Sequence, residues 1–330
     1  ILNLNQEEKI DKYIKYMQEK NIQVITYYDK DYPKQLKNLY DAPIAIYAIG
    51  NCKILNRKNK IAVIGARKAS NYGINIARQI GSFLSKNNIH TISGLALGID
   101  VNSHLGVLKE NSVNSTSGRA IAVIGNGLDN IYPYQNREIA KKIVNNGGCI
   151  ISEYIVGTKP LKNNFPARNR IISALADKLV VVEAENEKSG TMITVDFSLE
   201  LGKEIYVVPG NINNKMSVGT NRLIRKGAIL ITKTKEIIDE FEFLKYKEIQ
   251  EYETKINEKI KSKIKFENKE QECIYNILNN SGSEKIVSIN DICQKVQMPI
   301  NKINENLLIL EINQYIQKRN GGYICINNMN

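Results

Sequence analysis

Ile61-Ala62-Val63-Ile64-Gly65 and Ile121-Ala122-Val123-Ile124-Gly125 are two copies of one phrase, an apolar run of strand length closed by a glycine. Between residues 61 and 232 the phrase recurs in varied form. Ile89-His90-Thr91-Ile92, Cys149-Ile150-Ile151, Leu179-Val180-Val181-Val182 and Ile205-Tyr206-Val207-Val208 each precede a small polar, acidic or glycine residue and then a helical stretch. Runs that are apolar on both faces and separated by helices predict a doubly wound, mainly parallel sheet in an α/β domain, because only a sheet covered on both sides buries every side chain of a strand. Gly65, Ser93-Gly94, Gly125, Ser152-Glu153, Glu183 and Pro209-Gly210 close those runs. In a parallel sheet they share the carboxyl edge, where open α/β folds bind ligands.

Outward from this block, residues 1–50 read as a lead-in: a helix, a strand around Ile22 to Ile25 and a Pro33-led helix, packed on the sheet. Residues 233–266, of mixed charge, read as a charged helical linker. Residues 267–330 carry three helical patterns, with Ser288 as a cap and Pro299 in a first turn. Asn320-Gly321-Gly322 between Tyr315-Ile316 and Tyr323-Ile324-Cys325-Ile326 is a hairpin signal, which makes a small C-terminal winged-helix domain.

The 330 residues are 42% apolar and 24% charged, a globular composition. No run approaches a membrane span and the N-terminus lacks a signal-peptide layout, so a cytoplasmic protein with no membrane partner is expected. The first residue is Ile1 rather than Met, so something upstream is expected to have been removed or not sequenced. Cys52, Cys149, Cys273, Cys293 and Cys325 form no C-x-x-C pair and read as buried thiols. His90 and His104 are too few for a metal site, so no metal, cofactor or catalytic residue is expected, and His104 reads as a packed or capping residue.

The net charge of +12 is localised. Residues 1–50 hold seven basic and seven acidic groups, residues 233–266 nine and eight, and residues 267–330 six and seven, whereas residues 51–232 hold 24 and 12. A polyanion-binding middle segment is the physical reading. Within it, Lys162-Asn163-Asn164-Phe165-Pro166-Ala167-Arg168-Asn169-Arg170 places three cations and an aromatic at a helix start, a surface on which a base can stack while its phosphate is neutralised. Alternatively, Phe165 tucks into the core and Arg170 pairs with Glu153 or Glu183. Arg67-Lys68 add cations after the first strand, and Ser189-Gly190-Thr191 can offer backbone N–H groups. No P-loop is present, and Gly125-Asn126-Gly127-Leu128-Asp129-Asn130 lacks the third glycine of a dinucleotide fingerprint. Near the end of the segment, an apolar helix stripe (Leu223, Ile224) and the run Ala228-Ile229-Leu230-Ile231 suggest an exposed sheet edge suited to a two-fold dimer.

Gly65-Ala66-Arg67, Ser93-Gly94-Leu95-Ala96 with Gly98-Ile99-Asp100, Gly127-Leu128-Asp129 followed by Tyr132-Pro133, Ser152-Glu153-Tyr154, Phe165-Pro166-Ala167-Arg168-Asn169-Arg170-Ile171-Ile172, Ser189-Gly190-Thr191-Met192-Ile193-Thr194 and Val208-Pro209-Gly210 stand in one order. Over residues 20 to 230 that order resembles the bacterial DNA-processing protein A (Smf) family, many members of which carry a terminal winged helix. The resemblance implies an extended Rossmann-like domain that binds single-stranded DNA, a homodimer, and delivery of incoming strands to the RecA recombinase in natural transformation. It places the DNA pocket on Arg67, Lys162, Phe165, Arg168 and Arg170, with Gly65, Ser93 and Gly94 as its floor. The dimer surface falls near Asn221 and Leu230. Leu97 stands where the family usually has arginine, and the family's upstream helical domain is largely absent.

Two other functions remain open at this level. One is a nucleotide phosphoribohydrolase-like enzyme, although Thr194 stands where that group's P-G-G-x-G-T-x-x-E pattern has its glutamate. The other is a duplex-DNA-binding regulator acting through the winged helix, although that unit nets −1.

Overall fold

The computed structural model describes residues 4–113, 117–186, 189–238, 266–280, 286–296, 298–313, 315–319 and 321–325, and the chain divides into two compact units, Ile1–Phe243 and Leu244–Asn330. In the first unit the strands are β1 (Gln23–Thr26), β2 (Ala45–Gly50), β3 (Lys60–Ile64), β4 (His90–Ser93), β5 (Ala120–Ile124), β6 (Cys149–Ser152), β7 (Lys178–Val181), β8 (Glu204–Val207) and β9 (Ile229–Leu230). They form one sheet in the order β1-β2-β6-β5-β4-β3-β7-β8-β9. The pairings from β6 to β9 are parallel, and β1–β2 and β2–β6 are antiparallel.

The helices are α1 (Leu4–Glu19), α2 (Asn71–Lys86), α3 (Ile99–Asn111), α4 (Arg137–Asn145), α5 (Asn164–Leu175), α6 (Gly190–Glu200) and α7 (Val218–Arg225). Strand alternation sorts the core into layers. Ala62, Ile64 and Val181 pack with Ile171 and Leu175 of α5 and Val195 of α6, whereas Ile61, Val63 and Val180 pack with Ala77, Ile80 and Leu84 of α2. A third cluster joins Val107 and Leu108 of α3 and Ala140 and Ile143 of α4 to Ala120, Ala122 and Ile150. Both sheet faces are therefore covered, as the two-sided apolar strands require.

The structure refines three of these expectations. Residues 1–50 pack on the sheet, with Met17 of α1 and Leu36 in its core layers, and also extend it: Ile46 and Ala48 of β2 are fully buried, and the Pro33-led helix is a short 3-10 turn, Lys34–Asn38. The expected linker at 233–266 begins inside the first unit, because Ile237 and Ile238 are buried in the α2 layer; residues 239–265 lie outside the described residues. The thiols are not uniformly buried either. Cys273 is exposed, while Cys52 and Cys149, 97 positions apart in sequence, meet at an Sγ–Sγ distance of 4.0 Å.

In the second unit, α8 (Lys269–Asn280), β10 (Val287–Ser288), α9 (Ile289–Lys295), α10 (Ile300–Ile312), β11 (Ile316–Arg319) and β12 (Gly322–Cys325) follow one another. The strands pair in the antiparallel order β10-β12-β11 over a core that includes Ile274, Leu278, Ile292, Ile303, Leu307 and Leu310. Ser288 caps α9 through a reciprocal bond with Asp291. Asn320, of the expected hairpin turn, and Ile326 lie outside the described residues.

Two histidines are locked neutral in the first unit. His90 accepts the Arg119 backbone N–H at Nδ1 (2.9 Å); burial, with Arg57, Lys60 and Arg119 nearby, pushes its pKa down to about 4. His104 is fully buried, neither ring nitrogen has a hydrogen-bond partner among the described residues, and burial pushes its pKa to about 3. Because the folded pKa values lie below the unfolded one, the unfolded chain binds more protons once pH falls below about 6.5. Stability is therefore full above that pH. Each histidine removes on the order of 1.4 kcal/mol per pH unit as pH falls from about 6.5 towards 4 and 3. Thermal denaturation between pH 7.5 and 4.5 should show this loss, and His104→Leu, which has nothing to protonate, should flatten the slope.

Candidate functional site

In a doubly wound sheet the ligand crevice opens where the strand order reverses, here between the carboxyl ends of β3 and β7. In this chain that crevice is filled from within. Glu183, just past β7 and 1% exposed, accepts bonds from the Ser70 backbone N–H (2.9 Å) and the Ser70 hydroxyl (2.5 Å). Ser70 in turn caps α2 by accepting from the Gly73 N–H. A carboxylate thus occupies the helix N-terminus that would hold a nucleotide phosphate, a position the helix dipole favours by roughly 0.3–1 kcal/mol. Gly65 packs on Ile99 beside the Glu183 carbonyl, which accepts from the Ala66 N–H (2.8 Å).

The open part of the edge lies one step along, over β4 and β5. There a notch of about 50 Å³ is lined by Arg67, Gly94, Ala96, Leu97, Tyr132, Pro133, Phe165 and Arg168. The half-buried Phe165 ring, on the first turn of α5, stands between two groups. The Arg67 guanidinium lies 5.3 Å from its centroid, and the Tyr132 ring 5.6 Å away at 40°. Arg67 is exposed and Tyr132 is 44% exposed. Cation–π contacts and tilted ring pairs of this kind are each worth about 0.5–1.5 kcal/mol, so the three groups hold one another in place.

The loops that carry them are braced. Gly98 has φ +78°, and a Cβ there would lie 2.2 Å from the Ala66 carbonyl and 2.6 Å from that of Arg67, so only glycine lets α3 begin against the backbone of Arg67. A Cβ on Gly94 would lie 2.6 Å from the Arg168 guanidinium and 2.7 Å from the Asp100 carboxylate. Asp100 is buried, accepts the Gly94 N–H (3.1 Å), and has its pKa raised by desolvation against the pull of Arg168. Leu95 takes φ +55°, a strained conformation for a branched residue, and its carbonyl accepts from the buried Asn136 amide (2.8 Å). Asn136 therefore ties the loop after β4 to the loop after β5.

These placements divide the residues expected from sequence. Arg67, Lys68 and Lys162 are exposed at this edge and Phe165 is half-buried. Asn169 donates to the Gly190 carbonyl (3.3 Å), which brings the Ser189-Gly190-Thr191 segment beside α5. The other two cations around Phe165 are turned inward, Arg170 in the pairing with Glu153 that the alternative reading expected. Arg168 is 4% exposed and donates to the carbonyls of Gly94 and Val123; burial lowers its pKa to about 10. It forms the wall of the notch. Arg170, two positions on and so on another face of α5, forks onto Glu153 (2.7 and 2.8 Å) and pairs with Asp41 (2.7 Å). Both arginines sit in the buried turns of α5, where an unpaired guanidinium would be prohibitive. Ser93 is buried too and donates to the Val63 carbonyl (2.7 Å), so it shapes the floor without reaching the surface.

At the proposed dimer edge, Leu223 is 5% exposed and belongs to the core, Ile224 packs against that core, and Asn221 is engaged with both backbone groups of Gly210. Leu230 (44% exposed) and Ile229 (41%) are the apolar groups open on β9. Leu97, also 41% exposed, lines the notch where the family usually has arginine. Tyr132, which lines the notch, was not foreseen as a site residue. The signal was the spacing of two tyrosines around Pro133 directly after the Gly127-Leu128-Asp129 turn.

Fold and site together define a Rossmann-like binding domain whose phosphate niche is closed and whose open edge offers exposed aromatic faces beside cations. The chain belongs to the DNA recombination-mediator protein A family, whose model matches residues 23–242. It is 32% identical over 317 residues to protein Smf of Escherichia coli K12, covering 96% of this chain and 81% of that protein. Among solved structures it resembles DNA processing protein A of Streptococcus pneumoniae, with a TM-score of 0.60, 34% identity and coverage of 68% of this chain and 76% of that one. It also resembles DNA processing protein A from Helicobacter pylori, described for its single-stranded DNA binding mode, with a TM-score of 0.57, 32% identity and coverage of 65% and 93%.

The division between exposed and buried cations is testable by stability. Arg168→Ala leaves Asp100 buried without its counter-charge and two carbonyls without a donor, and should cost about 3–5 kcal/mol in urea denaturation. Arg67→Ala, at an exposed position, should stay within about 0.5 kcal/mol of the parent.

Proposed function

We propose that this chain is a sequence-nonspecific single-stranded DNA-binding protein that protects incoming strands and helps load them onto the RecA recombinase during natural transformation. The observation that carries the DNA reading is Phe165, an aromatic face presented at the sheet edge between the Arg67 guanidinium and the Tyr132 ring. A base stacks on such a face without hydrogen-bond readout, and only unpaired strands expose their bases to it. The notch is far smaller than the 300–1,000 Å³ of a small-molecule pocket, which suits a strand lying across it rather than a substrate enclosed in it. The single-stranded DNA binding described for the Helicobacter pylori protein agrees with this reading, as does the family.

The protein acts in this reading as a non-catalytic binder in the cytoplasm. Against a phosphoribohydrolase-like enzyme stand the closed niche at Glu183 and the buried Thr194 at the position of that group's glutamate. The helix–strand–helix–helix–strand–strand order of the second unit supports a winged helix, and the net charge of −1 over residues 267–330 favours a protein contact over duplex DNA. No helix among the described residues is long and apolar enough to cross a membrane. The two-residue edge strand β9, with Ile229 and Leu230 open to solvent, supports a homodimer through that edge.

Binding titrations should give higher affinity for single strands than for duplex. With three exposed cations at the edge, log affinity should fall against log salt with a slope of roughly −2, at about 0.7 per contact. Phe165→Ala should weaken binding by about 1–3 kcal/mol at unchanged slope, and Arg67→Glu should weaken it and flatten the slope. Equal affinity for duplex, or indifference to both substitutions, would remove the reading. Light scattering should find a dimer that Leu230→Arg converts to a monomer; a monomeric parent would end the edge proposal.

A further inference from the structure

Beside the Phe165 notch stands a second aromatic–cation pair. Tyr134, 69% exposed, carries the Arg137 guanidinium 4.5 Å from its ring centroid. Arg137 is exposed and is oriented by a bond from Nη2 to the Asn130 side-chain carbonyl (3.0 Å). The neighbouring Glu138 is paired with Lys141 (2.8 Å), so its charge is directed along α4 rather than onto Arg137. Between the two pairs the chain is fixed, because the Asn136 amide bonds the Leu95 carbonyl and Asn126 donates to the carbonyls of Gly127 and Asn130. A solvent-exposed ring held in a braced loop under a guanidinium repeats the chemistry of Arg67 and Phe165.

We propose that Tyr134 and Arg137 form a second stacking station for single-stranded DNA, so that the strand runs from the Phe165 notch along the loop between β5 and α4. The spacing fits. Tyr132, which belongs to the notch, lies two residues from Tyr134, a chain distance of at most about 7 Å. Phosphates of one strand recur every 3.4 Å or so along a stacked helix, so the two tyrosines serve positions one to two nucleotides apart. Tyr134 supplies the face for a base and Arg137 a partner for its phosphate, the combination that makes single-strand grooves tolerant of sequence. The station rests on the single-stranded DNA reading above and gives the bound strand a direction that the notch alone does not.

The test compares thymidine ligands of two lengths, a single nucleotide to fill the notch and an oligothymidylate of about twelve to reach past it, in competition fluorescence anisotropy titrations of the full chain. Tyr134→Ala should weaken the longer ligand roughly five- to a hundredfold, leave the single nucleotide unchanged and leave the salt slope unchanged, and Tyr134→Phe should restore the loss. Arg137→Gln should reduce the salt slope for the longer oligonucleotide by about 0.7. Equal affinity of parent and Tyr134→Ala for the longer oligonucleotide overturns the station, as does an equal loss at both lengths, which would assign Tyr134 to the notch. Indifference of both lengths to Phe165→Ala would instead defeat the underlying DNA reading, and the station with it. Retained affinity for the single nucleotide, together with its loss in Phe165→Ala, separates the two failures.

Discussion

The carboxylate of Glu183 decides where this sheet can bind anything. It lies against the start of α2, bonded to the amide and hydroxyl of Ser70, at the reversal in strand order where α/β folds of this topology ordinarily admit phosphate. An anion fixed there repels a second one. The ligand edge is consequently displaced towards β4 and β5, where side chains of three loops and the first turns of α5 meet. The notch, the exposed cations around it and the aromatic faces all stand on that displaced part of the edge.

Rigidity at the displaced site comes from backbone contacts and buried charge. Gly98 and Gly94 let two loops approach more closely than any side chain would permit, and Asp100 and Arg168 face each other across Gly94. Such buried charges contribute little net stability, but removing either would leave the other uncompensated, so the pair specifies geometry. Asn136 joins this frame to the loop that bears Tyr132 and Tyr134. The exposed groups that could touch a ligand are thus held by groups that cannot.

The same division governs the charge of the domain. Of the cations clustered around Phe165 in sequence, Lys162 faces solvent, whereas Arg168 and Arg170 serve the interior and an acidic cleft with Asp41 and Glu153. Excess positive charge over residues 51–232 remains a long-range property of the segment, able to attract a polyanion without every arginine touching it. Contact is left to few residues. In the proposed reading, a surface of that kind would depend on stacking for much of its affinity.

Composition, periodicity and punctuation made the α/β sheet legible, because strands apolar on both faces have one stable environment and each ends in a residue suited to a turn. The order of short motifs likewise made the family legible. The antiparallel β1 and β2 were not read as part of the sheet, since the pairing of β2 with β6 joins segments about a hundred residues apart and leaves no local mark beyond a short alternating run. The pairing of Arg170 with Glu153 was among the alternatives the sequence offered, but nothing local divided Arg168 from Lys162, because helix spacing assigns faces only once the neighbours of each face are known. Glu183 looked like the end of a strand and became the plug of the crevice; Tyr134 and Arg137 drew no notice in the sequence and became an exposed aromatic–cation pair. In each case the residue type set what chemistry was available, and the tertiary structure alone decided whether that chemistry was used up by the protein or left facing the solvent, because burial and partners are properties of the packed chain.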